Sequence, residues 1–387
     1  MMSFACASPR RLGTRWISTS LLPVVVWLLL GSPFFLTGVA LSYGSQEQTA
    51  AQTMVLDMGK WHLSLPSRSP ASIFEKKSMH GGEAISSLPS FQTRVARIAS
   101  LRCMNYYPSM NGWYYMWTNW DPATTAHDFA KIASSLHANW VRIIVPADKH
   151  FGYPTPSSKM LNELSQAITL ANKQGLQVDL TLFDAFSSYS DLLGSKQWAA
   201  AVVSSYRNDA RIAYIDLHNE LDNTNSSAIT WAKTMLAYLH ELAGDIPLTV
   251  SVTHGISNLA RQVSNQVPVD FYNFHFYSDP AQAYSIFQQA LRTVGTAKPL
   301  LIGETGYSTL TTAEEAKQDR YIRTVEYAAR QSGLPFASPW IYSDFADQAH
   351  VPSGVLGTTE QYYGLYRADG TLKPAGATIA SLFNEGH

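Results

Sequence analysis

The sequence predicts an α/β fold, a (β/α)8 TIM barrel over residues 99–387, behind an N-terminal targeting segment and an extension. Three observations carry this. Eight short apolar, β-branched runs recur between residues 101 and 342. Stretches of helical period separate them, and eight strand–helix units in about 290 residues is what such a barrel needs. No Gly-rich phosphate turn follows the first run, where Pro108-Ser109-Met110-Asn111-Gly112 stands, so a doubly wound open sheet fits less well.

In chain order, Arg10, Arg11 and Arg15 precede an apolar run, Leu21 to Leu41, and Ala40-Leu41-Ser42 offers a small-x-small cleavage site. Residues 1–42 are therefore expected to be a cleaved signal peptide. A retained membrane anchor is the alternative, because the run is long enough to span a bilayer, although Pro23 and Gly31-Ser32-Pro33 interrupt it. The Arg10-Arg11 pair also hints at twin-arginine export. Either way the body of the protein is expected outside the cytoplasm, secreted or anchored. Residues 43–98 are dotted with Ser, Gln and Pro without sustained period and read as a linker or extension. Cys6 falls in the targeting segment, which leaves Cys103 alone: no internal disulfide is expected, and Cys103 reads as a small core residue on a strand.

Composition narrows the partners. With 46% hydrophobic and 15% charged residues the chain can fill a large core. Its 28 basic and 29 acidic residues give a net charge of −1, which argues against nucleic acid or an anionic membrane surface, since both reward clustered cations. Membrane contact is expected only through an uncut N-terminal segment, and the protein is expected to be a monomer. Ten Trp and twenty Tyr point weakly to carbohydrate, because aromatic rings stack on sugar faces.

The runs are residues 101–107, 139–145, 176–183, 211–218, 247–253, 269–276, 299–305 and 335–342. Between them, 124–137 places Ala126, Phe129, Ala133 and Leu136 on one helical face, and a later helix has Ser226 or Ser227 as N-cap and Gly244 as its stop. Barrel chemistry sits at the C-terminal ends of the strands. Those ends supply Asn105, Tyr106 and Tyr107, then Arg142, Asp184, the triplet His218-Asn219-Glu220, His254, His275 and Tyr277, Glu304, and Trp340. Of the three Asn-Glu dipeptides, Glu163 falls in a helical stretch and Glu385 near the C-terminus, so only Glu220 lies at a strand end. Glu304, at the tip of "KPLLIGETGYS", is its partner across the mouth, and Gly306 allows a sharp turn after it. Two facing carboxylates are what glycoside hydrolysis requires. His218 and Glu220 could begin a metal site, but no third ligand is signposted, and neither metal nor cofactor is expected.

The ordered set Arg142, Asn219-Glu220, His275-Phe276-Tyr277, Glu304 and Trp340 resembles the retaining β-glycosidases of clan A, closest to glycoside hydrolase family 5, from about Leu101 to the C-terminus. That resemblance implies Glu220 as acid/base, Glu304 as nucleophile, and Arg142 and Tyr277 as donors to the nucleophile. It further implies Asn219 on the sugar 2-hydroxyl, His275 lining the site and Trp340 as the floor under the sugar. A nucleophile must stay ionised, which a guanidinium and a phenol hydroxyl favour, whereas an acid starts protonated beside that charge. The carboxyl groups are expected about 5 Å apart. Two positions depart from the family pattern: Leu221 stands where many members have Pro, and Asp184 ends the third run where a His is frequent. Asp184, His254, Asp344 and the aromatic loop with Trp113, Trp117 and Trp120 are candidates for outer sugar subsites, the three Trp equally for a satellite core. The expected substrate is an oligo- or polysaccharide, a β-linked glucan or mannan. An exo-acting β-glycosidase of the same clan and a non-catalytic sugar-binding barrel are the alternatives.

Overall fold

The computed structural model describes residues 89–386 apart from His254; the expected targeting segment and most of the expected extension lie outside them. The first described helix, α1 (Phe91–Arg97), starts at Ser90, whose side chain accepts from Thr93 N. Its buried Arg94 donates to Asn208 O at 2.7 Å, Asp209 O at 3.1 Å and Ile212 O at 3.0 Å. Residues 91–97 thus hold the chain that leads into the fourth strand. They belong to the same compact unit as the barrel.

The strands are β1 (Cys103–Asn105), β2 (Trp140–Pro146), β3 (Gln177–Asp184), β4 (Ile212–Asp216), β5 (Leu248–Thr249), β6 (Ser251–Val252), β7 (Tyr272–Phe276) and β8 (Leu300–Thr305). All neighbouring pairs are parallel, in the orders β1-β2-β3-β4-β5 and β6-β7-β8. The fifth run is split at Val250, whose carbonyl accepts from Gln262 Nε2 at 2.8 Å. The eighth run forms no strand of its own, because Pro335 and Pro339 bring no N–H to a ladder. It nevertheless closes the barrel. Ser338 N donates to Ile302 O at 3.0 Å and Trp340 N to Thr305 O at 2.7 Å on one side, while Tyr342 N donates to Asn105 O at 3.0 Å on the other. Asn105 Nδ2 clamps the seam, reaching Gly303 O, Ser338 O and Pro339 O at 3.1–3.3 Å.

Around the wall run α3 (Pro122–Ser134), α4 (Ser158–Lys173), α5 (Leu192–Val203), α6 (Ser226–Ala243), α7 (Ile256–Ser264), α8 (Ala283–Val294), α9 (Glu315–Gln331) and α10 (Pro374–Glu385), with a single turn, α2 (Tyr115–Thr118), above the mouth. Asp121 caps α3, accepting from Ala123 N and Thr124 N, with Pro122 in the first turn. Its buried face is Thr125, Asp128, Phe129 and Ile132, turned from the expected one. Asp128 goes inside because Tyr106 and Tyr342 hydroxyls donate to it at 3.0 and 3.1 Å. On α6 the cap is Asn225 rather than either serine, and Gly244 ends the helix at φ 68°.

Side chains inside the barrel fall into two layers. At the N-terminal end Cys103, Trp140, Tyr214, Phe271 and Leu301 form a dry plug, with Tyr214 edge-on to Trp140 at 5.6 Å and to Phe271 at 4.9 Å. Two residues further along each strand the interior turns polar, with Asn105, Arg142, Asp216 and Asn273 all buried. The period of two along a strand makes this change in one step.

Candidate active site

Arg142 is the hub of the polar layer. Its Nε donates to Thr181 Oγ1 at 2.7 Å, and one terminal nitrogen donates to Asn105 Oδ1 at 3.1 Å and to Glu304 Oε1. The other donates to Asn219 Oδ1 at 2.9 Å and to Asp216 Oδ2 at 3.4 Å, and Asp179 lies 3.5 Å from Nε. Burial pulls the guanidinium pKa down, but Glu304, Asp179 and Asp216 outweigh it and hold the charge well above the ordinary value. Asp179 bears the cost of the crowding. Burial pushes its carboxyl up to about 7, Asp216 adds to the push, and Arg142 opposes it.

Glu304 faces inward because β8 contains a bulge. Phe274 pairs with Ile302, but the next residue, His275, pairs with Glu304, so Gly303 is the extra residue. Leu301 and Gly303 already face the interior, and an unbroken strand would turn Glu304 outward toward the helices. Only a glycine fits, since a Cβ there would lie 2.3 Å from Asn273 Oδ1. Glu304 is then held from two sides, by Arg142 on Oε1 and by the Tyr277 hydroxyl, which donates to Oε2 at 2.8 Å. Burial and the Glu304 charge keep that phenol protonated, far above its ordinary range.

Glu220 sits just past β4 with φ 52°, in the left-handed region that a non-glycine residue rarely adopts. Ser251 fixes this turn: its hydroxyl donates to His218 O at 3.1 Å and accepts from Glu220 N at 3.2 Å. Leu221 N then donates to Ser251 O at 3.0 Å, a bond that the Pro frequent in the family could not make. His275 Nδ1 lies 2.8 Å from Glu220 Oε1 and 3.3 Å from Glu304 Oε2, so the ring stands within reach of both acids. Oxygens of the two carboxylates come within 4.8 Å of each other. The Glu220 side chain is 34% exposed and that of Glu304 7%, so an incoming group meets Glu220 from solvent and Glu304 from within.

The cavity above the pair has a volume of about 330 Å³ and is lined by Trp113, Asn219, Glu220, Tyr277, Glu304, Trp340, Glu360 and Tyr363. Trp340 Nε1 donates to Glu360 Oε1 at 3.2 Å, which fixes the indole. Trp113 stacks on Tyr107 at 5.4 Å and meets Phe345 from the other side. The structure thus brings Glu220, Glu304, Asn219, Tyr277, Trp340 and Trp113 to one cavity. Arg142 and His275 are buried beneath it. Asp184 does not line it: it is buried behind Asn219 and accepts from its Nδ2 at 3.1 Å, so it orients that amide rather than facing the cavity. Trp117 is core, its Nε1 donating to Ile144 O at 3.0 Å, with Trp120 stacked on it. Asp344 is buried against Lys373 at 2.7 Å, and His218 is buried with Nε2 3.0 Å from Phe186 O. His254 lies outside the described residues. Glu360 and Tyr363 were missed, because both stand past the last run, on or just after a short 3-10 turn, and only an acid close to two tyrosines in "EQYY" hinted at them.

Among the described residues, Glu220, His275 and Glu304 also form the group whose donors converge as metal ligands would.

A parallel eight-walled barrel with two carboxylates over its mouth has the arrangement that glycoside hydrolysis uses. A family profile described as Cellulase (glycosyl hydrolase family 5) matches residues 104–343, more than half of the chain, and the chain belongs to that family. It is a retaining β-glycoside hydrolase. Solved structures of similar fold include the exo-beta-1,4-mannosidase Op5Man5 from Opitutaceae bacterium strain TAV5, with TM-score 0.63 and 18% identity over 73% of this chain and 59% of that one. A GH5_18 protein from Streptomyces cattleya in complex with Manb1-4GlcNAc gives 0.62 and 17% over 74% and 81%. One from Bifidobacterium longum subsp. infantis gives 0.59 and 18% over 74% and 79%. This chain spans less than two thirds of the length of the Opitutaceae enzyme. No curated protein matches the sequence.

Proposed function

We propose that the protein hydrolyses β-linked glucosides or mannosides by double displacement, with Glu304 as nucleophile and Glu220 as acid/base. The observation that carries this reading is the approach of the two carboxylates to within 4.8 Å. Retaining enzymes hold the pair about 5–5.5 Å apart, while inverting ones leave about 6.5–9.5 Å for a water.

Glu304, held by Arg142 on one oxygen and by the Tyr277 hydroxyl on the other, attacks the anomeric carbon as Glu220 gives its proton to the leaving oxygen. The C–O bond to the aglycone breaks and a glycosyl ester on Glu304 forms. Water then attacks the same carbon, Glu220 takes the water's proton, and the ester bond breaks to free Glu304. His275 holds both carboxylates in register through these steps. Asn219, locked by Arg142 and Asp184, presents its amide to the sugar 2-hydroxyl.

A cavity of about 330 Å³ lies at the lower end of the ~300–1,000 Å³ range of small-molecule sites. That favours, as a second reading, exo action on a chain end over cleavage within a polymer, and the exo-mannosidase of like fold is consistent with it. Export remains part of the proposal, on the Arg-flanked apolar segment before Ser42.

The test is the anomer released first from an aryl β-glycoside, read by NMR, together with Glu304→Gln and Glu220→Gln. Retention gives the β-anomer, Glu304→Gln abolishes turnover, and Glu220→Gln lowers kcat by about 10²–10⁴-fold. A first product of α configuration, or turnover by Glu304→Gln, overturns the proposal.

A further inference from the structure

Three of the eight residues lining the cavity are carboxylates, and none is a cation. The guanidinium below is already engaged by Glu304, Asn219 and Asp216. Glu220 and Glu304 account for the chemistry, so the third acid, Glu360, needs its own explanation. It stands on a short 3-10 turn, 359–362, after the eighth run, half-buried, far in sequence from either catalytic acid. Its Oε1 accepts from Trp340 Nε1 at 3.2 Å, and its Oε2 accepts no hydrogen bond among the described residues. Burial raises its pKa; the Trp340 hydrogen bond opposes this, and the charges of Glu304 and Glu220 reinforce it. A partner that donates hydrogen bonds to this carboxylate would offset that cost. Two neighbouring hydroxyls of a pyranose are such a partner, and a ring lying on the Trp340 indole presents them edge-on to a group held in the plane of the indole N–H.

We propose that Glu360 is the specificity-determining residue of the cleavage pocket: it accepts hydrogen bonds from hydroxyls of a neutral pyranoside and rejects sugars that carry a carboxylate. The inference rests on the glycosidase reading and deepens it. A carboxylate accepts and cannot donate, so a uronate facing it loses its hydrogen bonds and meets like charge at once. Sites built around buried hydrogen bonds to a substrate discriminate strongly against a ligand that leaves them unpaired.

Binding separates this role from turnover. Phenyl 1-thio-β-glucoside, the mannoside and the glucuronide, which resist hydrolysis, are titrated against tryptophan fluorescence in the full chain, in Glu360→Gln and in Glu360→Ala. Glutamine keeps an acceptor for Trp340 and removes the charge. The expected result is a Kd for the better neutral glycoside at least about fivefold weaker in Glu360→Ala, and a glucuronide-to-neutral affinity ratio at least about fivefold higher in Glu360→Gln than in the wild type. A merely structural Glu360 would not move that ratio. Smaller shifts in either quantity, or no binding of a neutral thioglycoside by the wild type, overturn the inference. Turnover by Glu304→Gln overturns the mechanism while leaving the binding result standing. Loss of turnover in Glu304→Gln with Glu360 ratios unchanged does the reverse.

Discussion

Asp184 shows how a side chain read as a sugar contact can act one step away. It holds Asn219 by the amide nitrogen while Arg142 holds the amide oxygen, so the amide has one orientation. Asp184→Ala should free it and lower kcat/KM about 10-fold or more, with a melting curve close to that of the parent; an unchanged kcat/KM would show that Arg142 alone suffices. Glu326, on α9, makes a different point. It is buried, Ala337 N donates to its Oε2, and its Oε1 has no partner; burial pushes its carboxyl up to about 8. The folded protein therefore binds its proton more tightly than the unfolded chain. Its stabilising share is full below the unfolded value near 4.5 and is lost as pH rises toward about 8. Glu326→Gln should raise the melting temperature at pH 8–9 relative to wild type and change it little at pH 4, as calorimetry at both pH values would read. At this scale the sequence was legible where chemistry stood at a strand end, as for Arg142, Glu220, His275 and Glu304. It was illegible where a side chain's meaning depends on what lies behind it, as for Asp184 and Glu360.

Elements follow the same division. Helices were legible because their apolar period and caps are local: the α6 stop at Gly244 was read directly, and its cap was missed by one residue, since Asn225 and Ser226 both suit the position. Asp121→Ala should cost about 1 kcal/mol in denaturant unfolding and leave kcat unchanged, because α3 lies outside the barrel wall. Strands were harder. The bulge at Gly303 is a relation between β7 and β8, and no single run records it. Gly303→Ala should destabilise the protein by about 1–3 kcal/mol and also cut kcat, because the Cβ displaces Asn273 and turns the neighbouring Glu304; a stable variant of full activity would refute that account. Gly306 serves a different purpose from the turn expected of it: a Cβ there would come within 2.6 Å of Trp340 O, so it lets β8 pass under the indole-bearing segment.

For the molecule as a whole, the barrel closes at a proline-interrupted eighth wall that is stapled from outside. Lys373, at the start of α10, is buried and donates to Asp344 Oδ1 at 2.7 Å and to Thr309 Oγ1 at 2.8 Å. Burial pushes Asp344 up to about 6, with Lys373 opposing the shift. Lys373→Met strands that carboxylate and should cost about 3–5 kcal/mol in equilibrium unfolding at pH 7–8, and less at pH 5, where Asp344 can take up a proton. Eight walls and their order could be counted from the chain, but the staple joins residues brought together only by closure. The polar hub has one more consequence. Arg142, Asp179, Asp216 and Glu304 have side chains between 0% and 7% exposed. At about 0.15 M salt, mobile ions screen exposed charges beyond about 8 Å, but buried pairs are screened much less. The forces that aim the nucleophile should therefore be indifferent to ionic strength, and catalysis should persist in brine that has already loosened every ion pair on the surface.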